Sequence, residues 1–177
     1  MASQDEEFTM LFQEFYPSLC RFLECLLGGR AELAQDLAQE SFLQLHRTAW
    51  ETLPRGEARF WLYRVARNFA INEFRKSHTR YRLLDRVVEV MKPRPRNPEE
   101  EYETRERKEF VLNMLRTLPE DQRVALLLRE QEQLSYRDIG QVLNVSESKV
   151  KVDIFRARAA LRERWTKRAR TAGAGAS

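Results

Sequence analysis

Apolar residues recur every three or four positions along most of the chain, the spacing of one buried face on an α-helix. The strict alternation of a half-buried strand is hard to find over any strand length. This spacing predicts helices over about 5–27, 31–50, 57–78, 103–116, 119–131, 135–143 and 147–165. Gly28-Gly29 divides the first two, and "LPRG" (Leu53–Gly56) divides the second from the third. "KPRPRNPEEE" (Lys92–Glu101) holds three of the six prolines and cannot continue a helix. The fold class expected is therefore all-α: two small helical modules joined by a flexible linker, the C-terminal one a helix-turn-helix. The modules would span 1–79 and 103–167, with the linker at 80–102 and a flexible tail at 168–177 ending in "TAGAGAS". "YRLLDRVVEV", just before the prolines, predicts a short amphipathic helix.

The helix-turn-helix rests on local chemistry. Ser135 followed by Asp138 forms a capping box with Asp in the acceptor position. Ile139, Val142 and Leu143 give the helix it opens one apolar edge. Asn144 suits the left-handed conformation that ends a helix, and Ser146 suits the next N-cap. On the following helix, Val150, Ile154, Ala157 and Leu161 fall within a narrow arc at about 100° per residue. Ser148, Lys149, Val152, Phe155 and Arg156 project away from that arc. A helix so arranged can enter a major groove with Lys and Arg on phosphates, although a plain helical hairpin would show the same apolar pattern.

A second helix carries polar chemistry of its own. In "FWLYRVARNFAINEFRKSH" (Phe60–His78), Leu62, Val65, Ala66 and Phe69 form the apolar face. Arg64, Asn68, Asn72 and Arg75 form a stripe on the other side, with Trp61 projecting into it. Amides can bond base edges, arginines can hold phosphates and an aromatic can stack on an unpaired base. A solvated face with a half-buried Trp fits the same pattern.

Charge sharpens this picture. Net charge is only +4, but it is uneven. Arg55–Arg82 carries eight basic and two acidic residues, Glu147–Arg170 nine and three, and Glu99–Glu109 three and six. Two basic blocks flanking an acidic one suggest two contacts with a polyanion. No apolar run approaches the ~20 residues of a membrane span, and the acidic "MASQDEEFTM" has no signal-peptide core. Cys20 and Cys25, five apart with no histidine near them, read as reduced core thiols, and the isolated His46 and His78 read as surface or DNA-proximal residues and not as ligands. No catalytic constellation, metal set or cofactor motif is present, so neither a catalytic role, a metal nor a cofactor is expected.

Four segments in order carry a resemblance: "DLAQESFLQLHR" (Asp36–Arg47), "FWLYRVARNFAINEFRK" (Phe60–Lys76), "LRTLPEDQRVALLLRE" (Leu115–Glu130) and "LSYRDIGQVLNVSESKVKVDIFRARAALRE" (Leu134–Glu163). They cover nearly all of the chain outside the expected linker and tail. On them the chain resembles bacterial alternative sigma factors of the extracytoplasmic-function (ECF) group.

The resemblance implies a cytoplasmic transcription initiation factor that acts with core RNA polymerase and has no small-molecule substrate. It implies that Asp36, Gln39 and Glu40 meet the coiled coil of the polymerase β′ subunit. The Phe60–Lys76 helix would recognise and open the −10 promoter element through Trp61, Arg64, Asn68, Asn72, Arg75 and Lys76. The loop from Trp50 to Arg59 would capture a flipped base. The helix-turn-helix would read the −35 element through Ser148, Lys149, Val152, Asp153 and Arg156, with Lys151 and Arg158 on phosphates, while its module sits on the β flap. Many such factors are held by an anti-sigma factor anchored in the membrane, which makes an anti-sigma factor an expected partner. The chain departs from the pattern at Gly140, where Ala is usual, at Val152, where a small polar residue is usual, and at Asp153, where a base is common. Asp153 would then accept a hydrogen bond from a base or only pair with a neighbour on its own helix. The alternative function is a stand-alone helix-turn-helix regulator, which would need neither the Asp36–Glu40 surface nor the amide–Trp stripe.

Overall fold

A computed structural model describes residues 4–83 and 100–174. Within them the chain forms seven α-helices and no strand: α1 (Gln4–Leu26), α2 (Ala31–Thr48), α3 (Ala58–Leu83), α4 (Glu100–Arg116), α5 (Glu120–Glu130), α6 (Tyr136–Leu143) and α7 (Glu147–Ala174), with a 3-10 turn at Arg55–Glu57 before α3. The seven helices predicted from periodicity are all present. Residues 84–99 lie outside the described ones, and with them most of the expected linker and of the short amphipathic helix. Two limits move. The third helix runs on to Leu83 and the fourth begins at Glu100. The expected flexible tail is corrected over 168–174, because α7 continues to Ala174. Its last turns are rich in Arg, Lys and Ala, good helix formers, and Glu163 pairs with Lys167 at 2.7 Å one turn on. Trp165 packs on the Phe110 ring of α4 at 5.6 Å, and Arg168 lies 3.8 Å over that ring.

The local punctuation follows the sequence closely. Ser135 Oγ accepts from the Asp138 backbone N–H at 3.1 Å, which caps α6, and donates to the Asp138 carboxylate at 2.7 Å. Asn144 ends α6 at φ 56°, ψ 48°, its N–H returning to the Gly140 carbonyl. Ser146 Oγ accepts from the Lys149 N–H at 3.2 Å at the start of α7. Gly140 is buried here, and a Cβ on it would stand 2.8 Å from the Val145 carbonyl oxygen. The helix propensity lost to glycine is thus set against a turn that closes tightly over that position.

In the N-terminal module, α1, α2 and α3 pack around Phe22, Leu45, Leu62 and Tyr63, all with essentially no exposed surface. In the C-terminal module, α5, α6 and α7 pack around Val124, Leu128, Ile139 and Ile154, and α4 lies along the far part of α7. The two modules also pack on each other. Helix α5 contacts α1, and α6 contacts α3, so the buried apolar residues form one continuous cluster. Val124, Ala125, Leu126, Leu127 and Leu128 are buried in succession, which places apolar side chains all round α5. That helix satisfies its inner faces with α6 and α7 and its outer one with α1.

The turn between α1 and α2 is shaped for this junction. Gly28 and Gly29 have φ of +70° and +91°. The Gly28 carbonyl accepts from Arg116 Nη2 of α4 at 2.5 Å, and a Cβ on Gly28 would stand 2.2 Å from that side chain. Gly28→Ala is expected to lose ~1–2 kcal/mol of stability from the left-handed backbone alone, and to displace Arg116 as well. Urea denaturation of the full chain measures it, and an unchanged midpoint would contradict the junction as described.

Candidate nucleic-acid interface

On α3 the apolar face is buried at Leu62, Tyr63, Ala66 and Ala70. Arg64, Asn68, Asn72 and Arg75 are exposed together on the opposite side, and Lys76 is exposed beside Glu73, with which it pairs at 2.8 Å. Trp61 is half-buried against the core at the edge of the stripe. In the loop before α3, Trp50 is buried, donating its indole N–H to the Gln4 carbonyl at 3.3 Å and meeting the Phe8 ring at 5.1 Å. It braces the loop, while Glu51, Thr52, Pro54, Gly56 and Glu57 remain open to solvent.

The polar side of α3 is not free of protein. Arg64 Nη2 donates to the Gln141 carbonyl of α6 at 2.7 Å. Arg67 reaches Glu120 at 3.2 Å and Asp121 at 3.1 Å, both in the first turn of α5. Arg59 donates to the Glu132 carbonyl at 2.7 Å and lies 3.5 Å from its carboxylate. Behind them the Tyr63 hydroxyl sits 3.1 Å from Ser18 Oγ, and burial with the nearby Glu132 pushes its phenol above the ordinary range. The sequence reading left out Arg59 and Arg67. Their basic character was visible in the Arg55–Arg82 block, but their partners lie some fifty or more residues away.

Asp36, Gln39 and Glu40 are exposed on one side of α2, as their spacing requires. Gln39 Nε2 donates to the Tyr16 hydroxyl at 3.4 Å. Beside them lies an open cleft of about 450 Å³ between α1 and α2, walled by Phe8, Phe12, Phe42, Leu43 and His46. Leu43 is 47% exposed. An acidic edge next to an apolar cleft suits a partner helix that is amphipathic and basic. Leu43 could have been found from sequence, since it sits one turn from Gln39 and Glu40.

On α7, Ser148, Lys149, Lys151, Val152, Arg156 and Arg158 are exposed. Lys151 pairs with Glu147 at 2.8 Å and lies 5.6 Å over the Tyr136 ring. Arg158 meets Glu130 of α5 at 2.5 Å. Asp153 requires a correction: it is buried and takes Lys149 Nζ at 2.5 Å, so it does not face outward to accept from a base. Helix α7 packs on α5 as well as α6, which widens its buried arc beyond the four apolar residues and takes in Asp153. The outward position belongs instead to Phe155, 73% exposed, and to Val152, 44% exposed, three residues apart on one face. Phe155 shows the same outward projection from sequence, but an aromatic side chain is not read as a groove residue until its neighbours are seen to be basic.

Among the described residues no group of His, Cys, Asp and Glu is placed to hold a metal, and no helix is long and apolar enough to cross a membrane. Cys20 and Cys25 are free and partly buried, and burial pushes both thiols up from their ordinary value. His46 is exposed against the Phe8 ring at 4.9 Å.

Two family models match, "Sigma-70 region 2" over residues 11–80 and "Sigma-70, region 4" over 109–161. The RNA polymerase sigma-H factor of Pseudomonas aeruginosa is 37% identical over 142 residues, which cover 74% of this chain and 72% of that one. The ECF RNA polymerase sigma factor SigM of Bacillus subtilis is 28% identical over 155 residues, 86% of this chain and 91% of its relative. The fold is shared with the sigma factor RpoE of Bartonella quintana, solved in complex with the anti-sigma factor NepR, at a TM-score of 0.69 and 22% identity over 88% of this chain and 94% of that one. It is shared also with CnrH, solved with the cytosolic domain of CnrY, at 0.63 and 21% over 90% and 88%. The two helical modules are regions 2 and 4 of one family, and the chain belongs to the ECF group of bacterial RNA polymerase sigma factors, the alternative sigma factors of transcription initiation.

Proposed function

We propose that three exposed faces divide the work of this sigma factor. Asp36, Gln39 and Glu40 on α2, with the apolar cleft beside them, take the β′ coiled coil of core polymerase. Trp61, Arg64, Asn68, Asn72, Arg75 and Lys76 on α3 recognise and open the −10 element. Ser148, Lys149, Lys151, Val152, Arg156 and Arg158 on α7, joined by Phe155, engage the −35 element, while their module rests on the β flap. The domain limits that accompany this reading are 1–79 for the −10 module and 103–167 for the −35 module.

The observation that carries the reading is the pair of exposed faces on α3 and α7, amide-rich on one and basic around an apolar centre on the other. Amides placed between arginines suit base edges flanked by phosphates. Val152 and Phe155 suit the methyl groups of thymines in a major groove. Bond making stays with the polymerase, so the chain works as a non-catalytic factor in the cytoplasm. An anti-sigma factor is its proposed inhibitor, by analogy with the RpoE neighbour solved with the anti-sigma factor NepR. A stand-alone regulator would have no use for the α2 face. Transcription from a promoter library by core polymerase with and without the purified chain tests the whole reading. Specific transcripts are expected only with both.

Three sets of substitutions separate the faces. Asp36→Lys with Glu40→Lys is expected to lower affinity for core polymerase about tenfold or more by placing like charges against a basic partner, with helicity unchanged. Holoenzyme assembly followed by fluorescence measures it, and wild-type affinity would remove α2 from the reading.

Asn68→Ala with Asn72→Ala is expected to reduce promoter opening by a factor equivalent to ~1–3 kcal/mol per lost bidentate contact. Permanganate reactivity of promoter thymines, compared on duplex and premelted templates, is the readout. An unchanged ratio between the templates would refute the assignment.

Phe155→Ala and Asp153→Ala are expected to differ in kind. The first relaxes discrimination for thymine over cytosine or uracil at one or two −35 positions by about 0.8 kcal/mol, the worth of one buried methyl. The second leaves preference alone and costs ~1–3 kcal/mol of stability through the lost charged hydrogen bond to Lys149. Selection of −35 sequences from a randomised pool, beside thermal denaturation, distinguishes them.

A further inference from the structure

Helix α7 runs well past the segment that matches region 4. The match ends at residue 161, whereas the helix continues to Ala174. Residues 162–174 carry five basic residues and one acidic one. The inner side of this stretch is anchored on α4: Trp165 and Arg168 rest on the Phe110 ring, and Arg164 donates to Thr117 Oγ1 just beyond that helix. The stretch is therefore a rigid continuation of the half assigned to the −35 element, and a partner that binds it has little chain left to order.

The nine basic residues of α7 sort into two groups. Six are engaged within the protein. Lys149 meets Asp153, Lys151 meets Glu147, Arg158 meets Glu130 and Lys167 meets Glu163, while Arg164 and Arg168 hold the α4 side. The side chains of Arg156, Arg162 and Arg170 make no hydrogen bond or ion pair among the described residues, and all three are exposed. Arg162 follows Phe155 by seven residues, about two turns, and Arg170 follows it by fifteen, about four turns. Both therefore project on the side of α7 that carries Val152 and Phe155, opposite the buried Ile154 and Ala157. The outward face of the helix does not end with the −35 residues but continues as a line of uncompensated arginines.

We propose that the C-terminal half of α7 is a further DNA-contacting surface, in which Arg162 and Arg170 hold backbone phosphates just outside the −35 element. The proposal rests on the assignment of α7 to that element. A recognition helix places its N-terminal residues on base edges, in a major groove about 12 Å wide. At ~1.5 Å per residue, Arg162 stands ~10 Å and Arg170 ~22 Å along the axis from Phe155. A straight helix with Phe155 in the groove thus brings Arg162 to the groove wall and Arg170 out over the backbone beyond it. Phosphates are what that rim offers, and a guanidinium binds them through paired, charge-assisted hydrogen bonds. An acidic protein surface would attract the same side chains. Continuity favours DNA, because both arginines share one face with the residues directed at the −35 bases.

Arg162→Gln with Arg170→Gln removes both charges and leaves the anchored side intact, so helicity by circular dichroism is expected to stay unchanged. Holoenzymes made with the wild-type and the variant chain are compared on a duplex promoter fragment carrying the −35 sequence that the wild-type holoenzyme selects from a random pool. The slope of log affinity against log salt is expected to shrink by about two units. The wild type's advantage should accordingly fall about tenfold when salt is raised fourfold. The selected −35 sequence stays the same. Arg162→Lys with Arg170→Lys should restore the slope, since a phosphate contact depends on charge. Equal slopes for the wild type and the Gln variant overturn the proposal, as does a Lys variant that behaves like the Gln one. So does a Gln variant that assembles poorly with core polymerase yet binds DNA with the wild-type slope, which would place these arginines on a protein.

Neutral methylphosphonates locate the contact. Placed one at a time in the backbone flanking the −35 element, they are expected to weaken the wild-type holoenzyme at one or two sites to which the Gln variant is indifferent. Equal losses for both chains at every flanking phosphate overturn the proposal. Phe155→Ala and Arg156→Ala isolate the reading beneath it. If neither changes the −35 sequence selected, α7 does not read that element, and its C-terminal extension falls with that assignment.

Discussion

The burial of α5 on every side is the constraint from which the rest of the architecture follows. A helix with five consecutive buried residues, Val124 to Leu128, cannot be covered by one neighbour. Helices α6 and α7 cover part of it and thereby set the geometry of the helix-turn-helix. The remainder would face water, and α1 of the N-terminal module closes over it. Burying a large aliphatic side chain contributes ~1.5–3 kcal/mol, so this one helix gives the two modules a reason to meet. Once α1 lies on α5, the α1–α2 turn reaches α4, where the left-handed Gly28 lets Arg116 approach.

That meeting brings unlike chemistry together. Helix α3 carries an arginine-rich face, and the N-termini of α5 and α6 carry Glu120, Asp121 and Asp138 within their first turns. Acids at a helix start are favoured locally, because they oppose the partial positive charge of the unpaired N–H groups. Those of α5 serve a second purpose here, since they also face Arg67. Arginine suits such a junction better than lysine would. Its planar fork can reach two acceptors at once, and its charge persists where burial would discharge an amine. The same properties suit phosphate and base edges.

Helix α7 shows how packing sorts residues that look alike in sequence. Asp153 and Arg156 both read as polar positions of a recognition helix. Asp153 falls on the side turned to the module's interior and spends its charge on Lys149, whereas Arg156 stays exposed. With Asp153 withdrawn, the centre of the outer face is apolar, at Val152 and Phe155, and ringed by Lys151, Arg156 and Arg158. Such a face suits the −35 contact proposed for it, with an apolar middle and a cationic edge.

Features that depend on neighbours along the chain were legible from the amino-acid sequence alone. The seven helices, the N-cap at Ser135, the left-handed Asn144 and the cap at Ser146 all involve residues within about one helical turn, where the physics is local. So was the polar stripe of α3, because helical periodicity fixes which residues share a face. The ordered four-segment pattern identified the family for the same reason. Only the tertiary structure decided what each face meets. It turned Asp153 inward, made Trp50 a brace, and kept α7 helical through Ala174 by packing Trp165 and Arg168 on Phe110. Above all it joined Arg64 to Gln141 and Arg67 to Asp121 across 77 and 54 residues of chain. No periodicity reports such pairs, because they depend on how two separately folded surfaces match in shape and charge.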